Sequence, residues 1–161
     1  MADGSNLQIF NIDKMKKILY ILSAIATLLF ASSCEKESGV LNQLEGDWHC
    51  TVVDSGVTQD VYISFGADGQ FEMYQKTGDG PYWRTSGKYT LDTETMVLSG
   101  KYSDKYPWKY SYKIAVAGSS LQMTAVENEA YAVSYSKETI PAEVRAKSVP
   151  LTKSEPAELF L

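Results

Sequence analysis

The sequence predicts an all-β domain: an eight-stranded antiparallel up-and-down barrel followed by a short C-terminal helix. Three observations carry this expectation. From Leu44 onward apolar residues recur at every second position, the period of a strand with one buried face. Turn-forming groups such as Gly66-Ala67-Asp68-Gly69, Gly78-Asp79-Gly80-Pro81 and Ala117-Gly118-Ser119 separate the runs. No gap offers the dozen or more residues that a parallel crossover needs, so each strand pairs antiparallel with the next. An open meander of this kind leaves two bare edges and an uncovered apolar face, and closing it into a barrel removes both.

The elements come in order along the chain. Trp48 to Val53 is the first strand. "DVYISF" sends Val61, Ile63 and Phe65 to one face, and "GQFEMYQ" does the same with Phe71 and Met73. Tyr82 to Leu91 and Thr95 to Gly100 alternate more weakly. "PWKYSYKIAV" alternates most cleanly, with Trp108, Tyr110, Tyr112, Ile114 and Val116 against Lys109, Ser111 and Lys113. "SLQMTA" contributes Leu121 and Met123, and "AYAVSYS" contributes Tyr131, Val133 and Tyr135. Pro141, Pro150 and Pro156 break up the remainder of the chain. Pro141 suits the first turn of a helix running to about Lys147. Beyond it the chain is expected either to fray or to dock on the barrel through Leu159, Phe160 and Leu161.

Ahead of the barrel, Met15-Lys16-Lys17 is a basic head, Ile18 to Phe30 an apolar stretch and Ala31-Ser32-Ser33 a small-residue exit. That is the layout of a secretory signal, and the apolar stretch is short for a membrane span of about 20 residues. Residues 1–14 have no place in such a signal, so Met15 reads as the working start. Phe30-Ala31-Ser32-Ser33-Cys34 resembles the lipobox of bacterial lipoproteins, although Ala31 stands where Leu is commonest. The resemblance implies that Cys34 is acylated and opens the mature chain, held to the membrane by its lipid. Glu35, Lys36 and Glu37 behind it resemble a surface-export signal of some Gram-negative bacteria. The expected location is therefore the outer membrane, on its periplasmic face or at the cell surface. The chain then divides into residues 1–33 (upstream extension and signal), 34–43 (lipidated anchor and short tether), 44–138 (barrel) and 139–161 (helix and tail).

Leu44-Glu45-Gly46-Asp47-Trp48 resembles the Gly-x-Trp approach to the first strand of lipocalins and fatty-acid-binding proteins, and the strands and turns of 44–138 resemble bacterial lipocalin-like lipoproteins. The resemblance implies that Trp48 plugs one end of the barrel, with Gly46 letting the chain pass close beneath it. Two family features are missing. There is no Thr-Asp-Tyr turn, and the last strand holds no Arg to stack on the Trp, Arg145 being the nearest substitute.

The formal net charge is −5, and removing residues 1–33 leaves the chain more acidic still. An acidic surface repels phosphate backbones and anionic lipid, so no nucleic-acid partner is expected, and membrane contact is expected through the anchor alone. The single histidine, His49, neighbours Cys50 on a strand, so the two side chains face opposite ways and form no thiol–imidazole pair. His49 is expected on the solvated outer face and Cys50 in the core. With no second histidine to activate a serine and too few Cys and His for zinc, neither a catalytic centre nor a metal or cofactor is expected.

Aromatic side chains crowd the second half of the barrel. Parity places Trp108, Tyr110, Tyr112, Tyr131, Val133 and Tyr135 on the inner face. Two readings stay open. These residues line a cavity that binds a small hydrophobic molecule, or they fill a barrel that serves as a structural, partner-recognition or glycan-recognition module. In the second reading, the turns "KTGDGPYW" and "YSDKYPW" would meet the partner.

Overall fold

The computed structural model describes residues 39–54, 56–152 and 160–161. Cys34, the signal stretch and Leu159 lie outside the described residues. Residues 39–44 form a short helix, α1. Eight strands come after it: β1 (Gly46–Asp54), β2 (Val57–Phe65), β3 (Gln70–Thr77), β4 (Trp83–Asp92), β5 (Val97–Tyr102), β6 (Tyr112–Ala117), β7 (Ser120–Ala125) and β8 (Ala132–Lys137). Each pairs antiparallel with the next, and β8 returns to β1, so the ring closes as an eight-stranded antiparallel barrel. Two seams are short. β8 meets β1 at Trp48↔Lys137 and His49↔Ser136, and β5 meets β6 at Val97↔Lys113 and Leu98↔Tyr112.

The predicted strands appear, with two departures. "PWKYSYKIAV" is strand only from Tyr112 onward. Ahead of it, Pro107 bridges to Lys101 and the Trp108 N–H donates to Gly100 O at 3.0 Å. Residues 103–108 therefore fold back along the end of β5. The alternation of burial survives in this irregular stretch, with Trp108 and Tyr112 buried and Lys109 exposed. The second departure is β9 (Val149–Pro150), which lies parallel to the start of β4 through Trp83↔Val149 and Arg84↔Pro150. The long chain between β4 and β9 supplies the separation that parallel pairing requires.

Inward side chains from all eight strands form one core, including Trp48, Ile63, Phe71, Leu98, Ile114 and Leu121. Outside the wall, α2 (Ala142–Lys147) lies over β2 and β3. Val144 and Ile140 pack there on Tyr62 and Tyr74, which makes Val61, Tyr62 and Ile63 buried in succession. Polar contacts fix the helix. Arg145 Nη2 lies 3.0 Å from Asp47 Oδ2 and its Nη1 3.2 Å from Glu72 Oε2, while the Ile140 N–H donates to Asp47 Oδ2 at 3.1 Å. Partial burial pushes the Asp47 carboxyl up, but hydrogen bonds from Ser64, the Ile140 N–H and the Arg145 charge outweigh it and hold its pKa below 3.8.

Antiparallel order gives the barrel two distinct ends. The β2–β3, β4–β5 and β6–β7 turns lie at one end with the start of β1; the β1–β2, β3–β4, β5–β6 and β7–β8 connections lie at the other. At the first end Trp48 is fully buried, and its Nε1 donates to Leu44 O at 2.7 Å. The cation over its ring is Lys137, with Nζ 5.1 Å from the centroid. Arg145, expected as the substitute, lies instead over Tyr74 at 5.7 Å. It sits on α2, outside the wall, whereas Lys137 is the direct β8 partner of Trp48. Gly46 has φ +114°, and a Cβ there would sit 3.2 Å from Lys137 Cε. Only glycine suits that backbone and that close approach.

Two outcomes are expected. Trp48→Ala should lower the unfolding free energy by about 3–5 kcal/mol in denaturant melts, since it removes a buried aromatic ring and opens a cavity. The Asp47 contribution is complete above its unfolded value of 3.8 and is lost as pH falls through its lower folded value. Stability of the parent should therefore drop below about pH 4, and Asp47→Asn should remove part of that acid dependence.

Candidate functional site

The end opposite Trp48 is a mouth built from the ends of β1, β3, β5 and β7 and the starts of β2, β4, β6 and β8. The structure brings the six inner-face residues named from parity into one cluster. Trp108, Tyr112, Val133 and Tyr135 are buried, and Tyr110 and Tyr131 are partly buried against them. Rings succeed one another in edge contacts. Phe71 meets Trp108 at 5.0 Å, Trp108 meets Tyr112 at 6.2 Å, and Tyr112 meets Tyr110 at 6.3 Å. Tyr110 then meets Tyr131 at 5.7 Å.

That file ends on a segment from far along the chain. The Phe160 ring lies 6.3 Å from both Tyr131 and Tyr135, and Phe160 and Leu161 are buried in the barrel core. Side chains hold their main chain. The Phe160 N–H donates to Gln75 Oε1 at 3.0 Å, the Tyr131 hydroxyl donates to Phe160 O at 3.3 Å, and the Tyr102 hydroxyl donates to Leu161 O at 2.9 Å. Of the residues that hold this segment, Tyr102 belongs to the aromatics of the second half of the barrel but was not among the six named from parity, and Gln75 was not singled out. Gln75 carried a signal, being a polar residue at the same parity as Phe71 and Met73.

The electrostatics keep the interior neutral. Burial pushes the hydroxyls of Tyr102 and Tyr112 up, and neighbouring tyrosines push Tyr112 further. Burial raises Tyr135 well above its ordinary value too. All three stay protonated and able to donate. Burial also pushes the Cys50 thiol up to about 12, so it is a neutral core group and not a thiolate. Among the described residues, Tyr112 OH, Trp108 Nε1 and Thr85 Oγ1 are buried without a hydrogen-bond partner. Burying such a group unpaired costs about 1–3 kcal/mol, which makes each a place where a polar ligand atom would be welcome.

Trp108 owes its position to a glycine. A Cβ on Gly100 would lie 2.4 Å from the Trp108 ring, so the indole lies flat over the bare backbone of β5. Beside it the short β5–β6 seam opens into a groove of about 320 Å³, lined by Lys88, Thr90, Lys101, Pro107, Trp108 and Tyr110.

His49 departs from expectation. It does lie on the outer wall, opposite Cys50, but it is half-buried instead of solvated. Its ring stacks on Tyr62 at 4.2 Å, with Nε2 2.6 Å from Asp60 and Nδ1 3.0 Å from Glu138. Asp60 also accepts from the Tyr82 hydroxyl. The cluster ties β1, β2 and the β3–β4 loop together outside the barrel. Among the described residues no group of His, Cys, Asp and Glu is arranged to hold a metal ion, and no helix is long and apolar enough to cross a membrane.

Closed antiparallel strands, an end sealed by a Gly-x-Trp and an aromatic interior define a lipocalin-like barrel, an architecture suited to enclosing a small molecule. Residues 44–123 match the family model of the lipocalin-like domain. The matched region runs from Leu44 into β7, so β8, α2, β9 and the Phe160–Leu161 contact lie beyond it. No curated protein and no solved structure gave a match.

Gly100→Val should force the indole off β5, lower stability by about 1–3 kcal/mol through overpacking and shift tryptophan emission to longer wavelength. Unchanged emission and stability would show that the ring does not depend on the bare backbone.

Proposed function

We propose that this chain is a membrane-anchored lipocalin-like lipoprotein of the cell envelope that binds a small hydrophobic molecule in the mouth of its barrel. The observation that carries the binding reading is the rim. The described residues include six exposed large hydrophobics, Val53, Val57, Trp83, Tyr106, Val126 and Val149. All six belong to the connections, strand ends or β9 pairing at the mouth. An apolar collar around an interior with unpaired donors suits a molecule with a long apolar body and a polar oxygen. The anchor rests on the sequence at Cys34, where mass spectrometry of the protein from its native membrane should find an acylated N-terminal cysteine. A free thiol at 34 inside a longer chain would refute the anchor.

The binding test separates ligand capture from folding. Palmitate titrated into the full chain should change tryptophan emission saturably. Tyr112→Phe removes a hydroxyl that has no hydrogen-bond partner among the described residues, so stability should hold or rise while palmitate affinity falls by about tenfold, the worth of one hydrogen bond to a charged group. Loss of stability with no change in binding would refute this role for Tyr112.

One observation favours the second reading, a partner- or glycan-recognition module. Trp83, the first residue of β4, and Tyr106, on the β5–β6 connection, are both 42% exposed at the mouth, and the core beneath is occupied by the chain's own side chains. Absence of palmitate binding would move the function to that rim.

A further inference from the structure

The Phe160–Leu161 segment does more than fill space. A barrel that needs only filling takes methyl groups and rings, and introducing main-chain amides is costly unless each finds a partner. Here Phe160 N–H, Phe160 O and Leu161 O all find one, in Gln75, Tyr131 and Tyr102. Gln75 is itself only 5% exposed, at a strand position whose neighbours in parity, Phe71 and Met73, are apolar. None of the three bonds belongs to a strand ladder. Main-chain atoms read by fixed partners, with apolar side chains in pockets, is the pattern by which extended peptides are recognised.

We propose that Phe160–Leu161 is a built-in surrogate ligand: the mouth is a site for apolar molecules that carry a secondary amide beside acceptor oxygens, as a short hydrophobic peptide does, and the chain's own segment competes for it. This rests on the reading of the barrel as a binder of small hydrophobic molecules and narrows the ligand class. The site also offers more than the segment uses. Among the described residues Trp108 Nε1 and Tyr112 OH are without hydrogen-bond partners, and the Tyr112 ring meets Tyr110, which in turn meets Tyr131, the residue that holds Phe160 O. A ligand with one further acceptor oxygen engages a donor that Phe160–Leu161 leaves unmet. The segment lies beyond the region that the lipocalin-like family model matches.

The test uses the full chain and isothermal titration with two probes, N-acetyl-Phe-Leu-amide and the amide-free palmitate. The double variant Phe160→Asp, Leu161→Asp should expel the segment. If the parent site is open in roughly one molecule in ten, expulsion raises affinity for the peptide amide about tenfold. Phe160→Ala should show a smaller gain in the same direction, and it carries the comparison if the double variant does not fold. Adding Gln75→Leu to the better-folded of these should abolish the gain for the peptide amide and spare palmitate. Variants that gain affinity for palmitate alone would overturn the amide-bearing class while leaving hydrophobic binding intact. No gain for either probe in Phe160→Ala would overturn the competition. Failure of parent and variants to bind either probe would overturn the binding function along with it.

Discussion

Closing eight strands into a ring leaves an axial space that must be filled, and in this protein aromatic rings do most of the filling. Interiors tolerate few voids larger than a water molecule, so each ring's place constrains the next. Phe71, Trp108 and Tyr112 meet edge to face in succession. Two glycines make this possible. Gly100 clears the path for the Trp108 indole, and Gly87 leaves room for the Phe71 ring, whose Cε1 would lie 2.8 Å from a Cβ there. One of the two short seams, β5–β6, lies beside these rings, with Tyr112 paired to Leu98 across it. The file is completed by Phe160, a residue from outside the barrel strands.

The two ends use different chemistry. At the Trp48 end, an indole hydrogen bond to Leu44 O, a lysine over the ring and a positive-φ glycine leave a single arrangement. At the mouth, two tyrosine hydroxyls and one amide side chain hold two residues of main chain. The first end is closed by a packed indole and one main-chain hydrogen bond, and the second by side-chain hydrogen bonds to the main chain of Phe160 and Leu161. The outer wall adds stability of its own, since α2 covers Tyr62 and Tyr74 while Arg145 bridges β1 and β3.

Legibility in the sequence tracked the range of the interaction. The period of two is a local signal, so all eight barrel strands and the helix after Pro141 were readable, and parity placed Trp108 inward even though residues 107–111 proved irregular. Pairing is not local. Lys137 faces Trp48 across 89 positions because β8 closes on β1, and nothing near Arg145 marked it as lying outside the wall. β9, two residues long with a proline, has no period to read. Gln75 was visible as a polar residue on an apolar face, but its partner, Phe160, lies 85 positions away. The acylation expected at Cys34 concerns residues outside those described.

Proton NMR of the full-length protein measures the occupied mouth directly. If Phe160 fills it, the Phe160 ring gives nuclear Overhauser contacts to the rings of Tyr131 and Tyr135, and its amide proton, bonded to Gln75, exchanges slowly with solvent. Random-coil shifts for Phe160, with no contact to either tyrosine and fast amide exchange, would show that the barrel closes without this segment and that the mouth stands open.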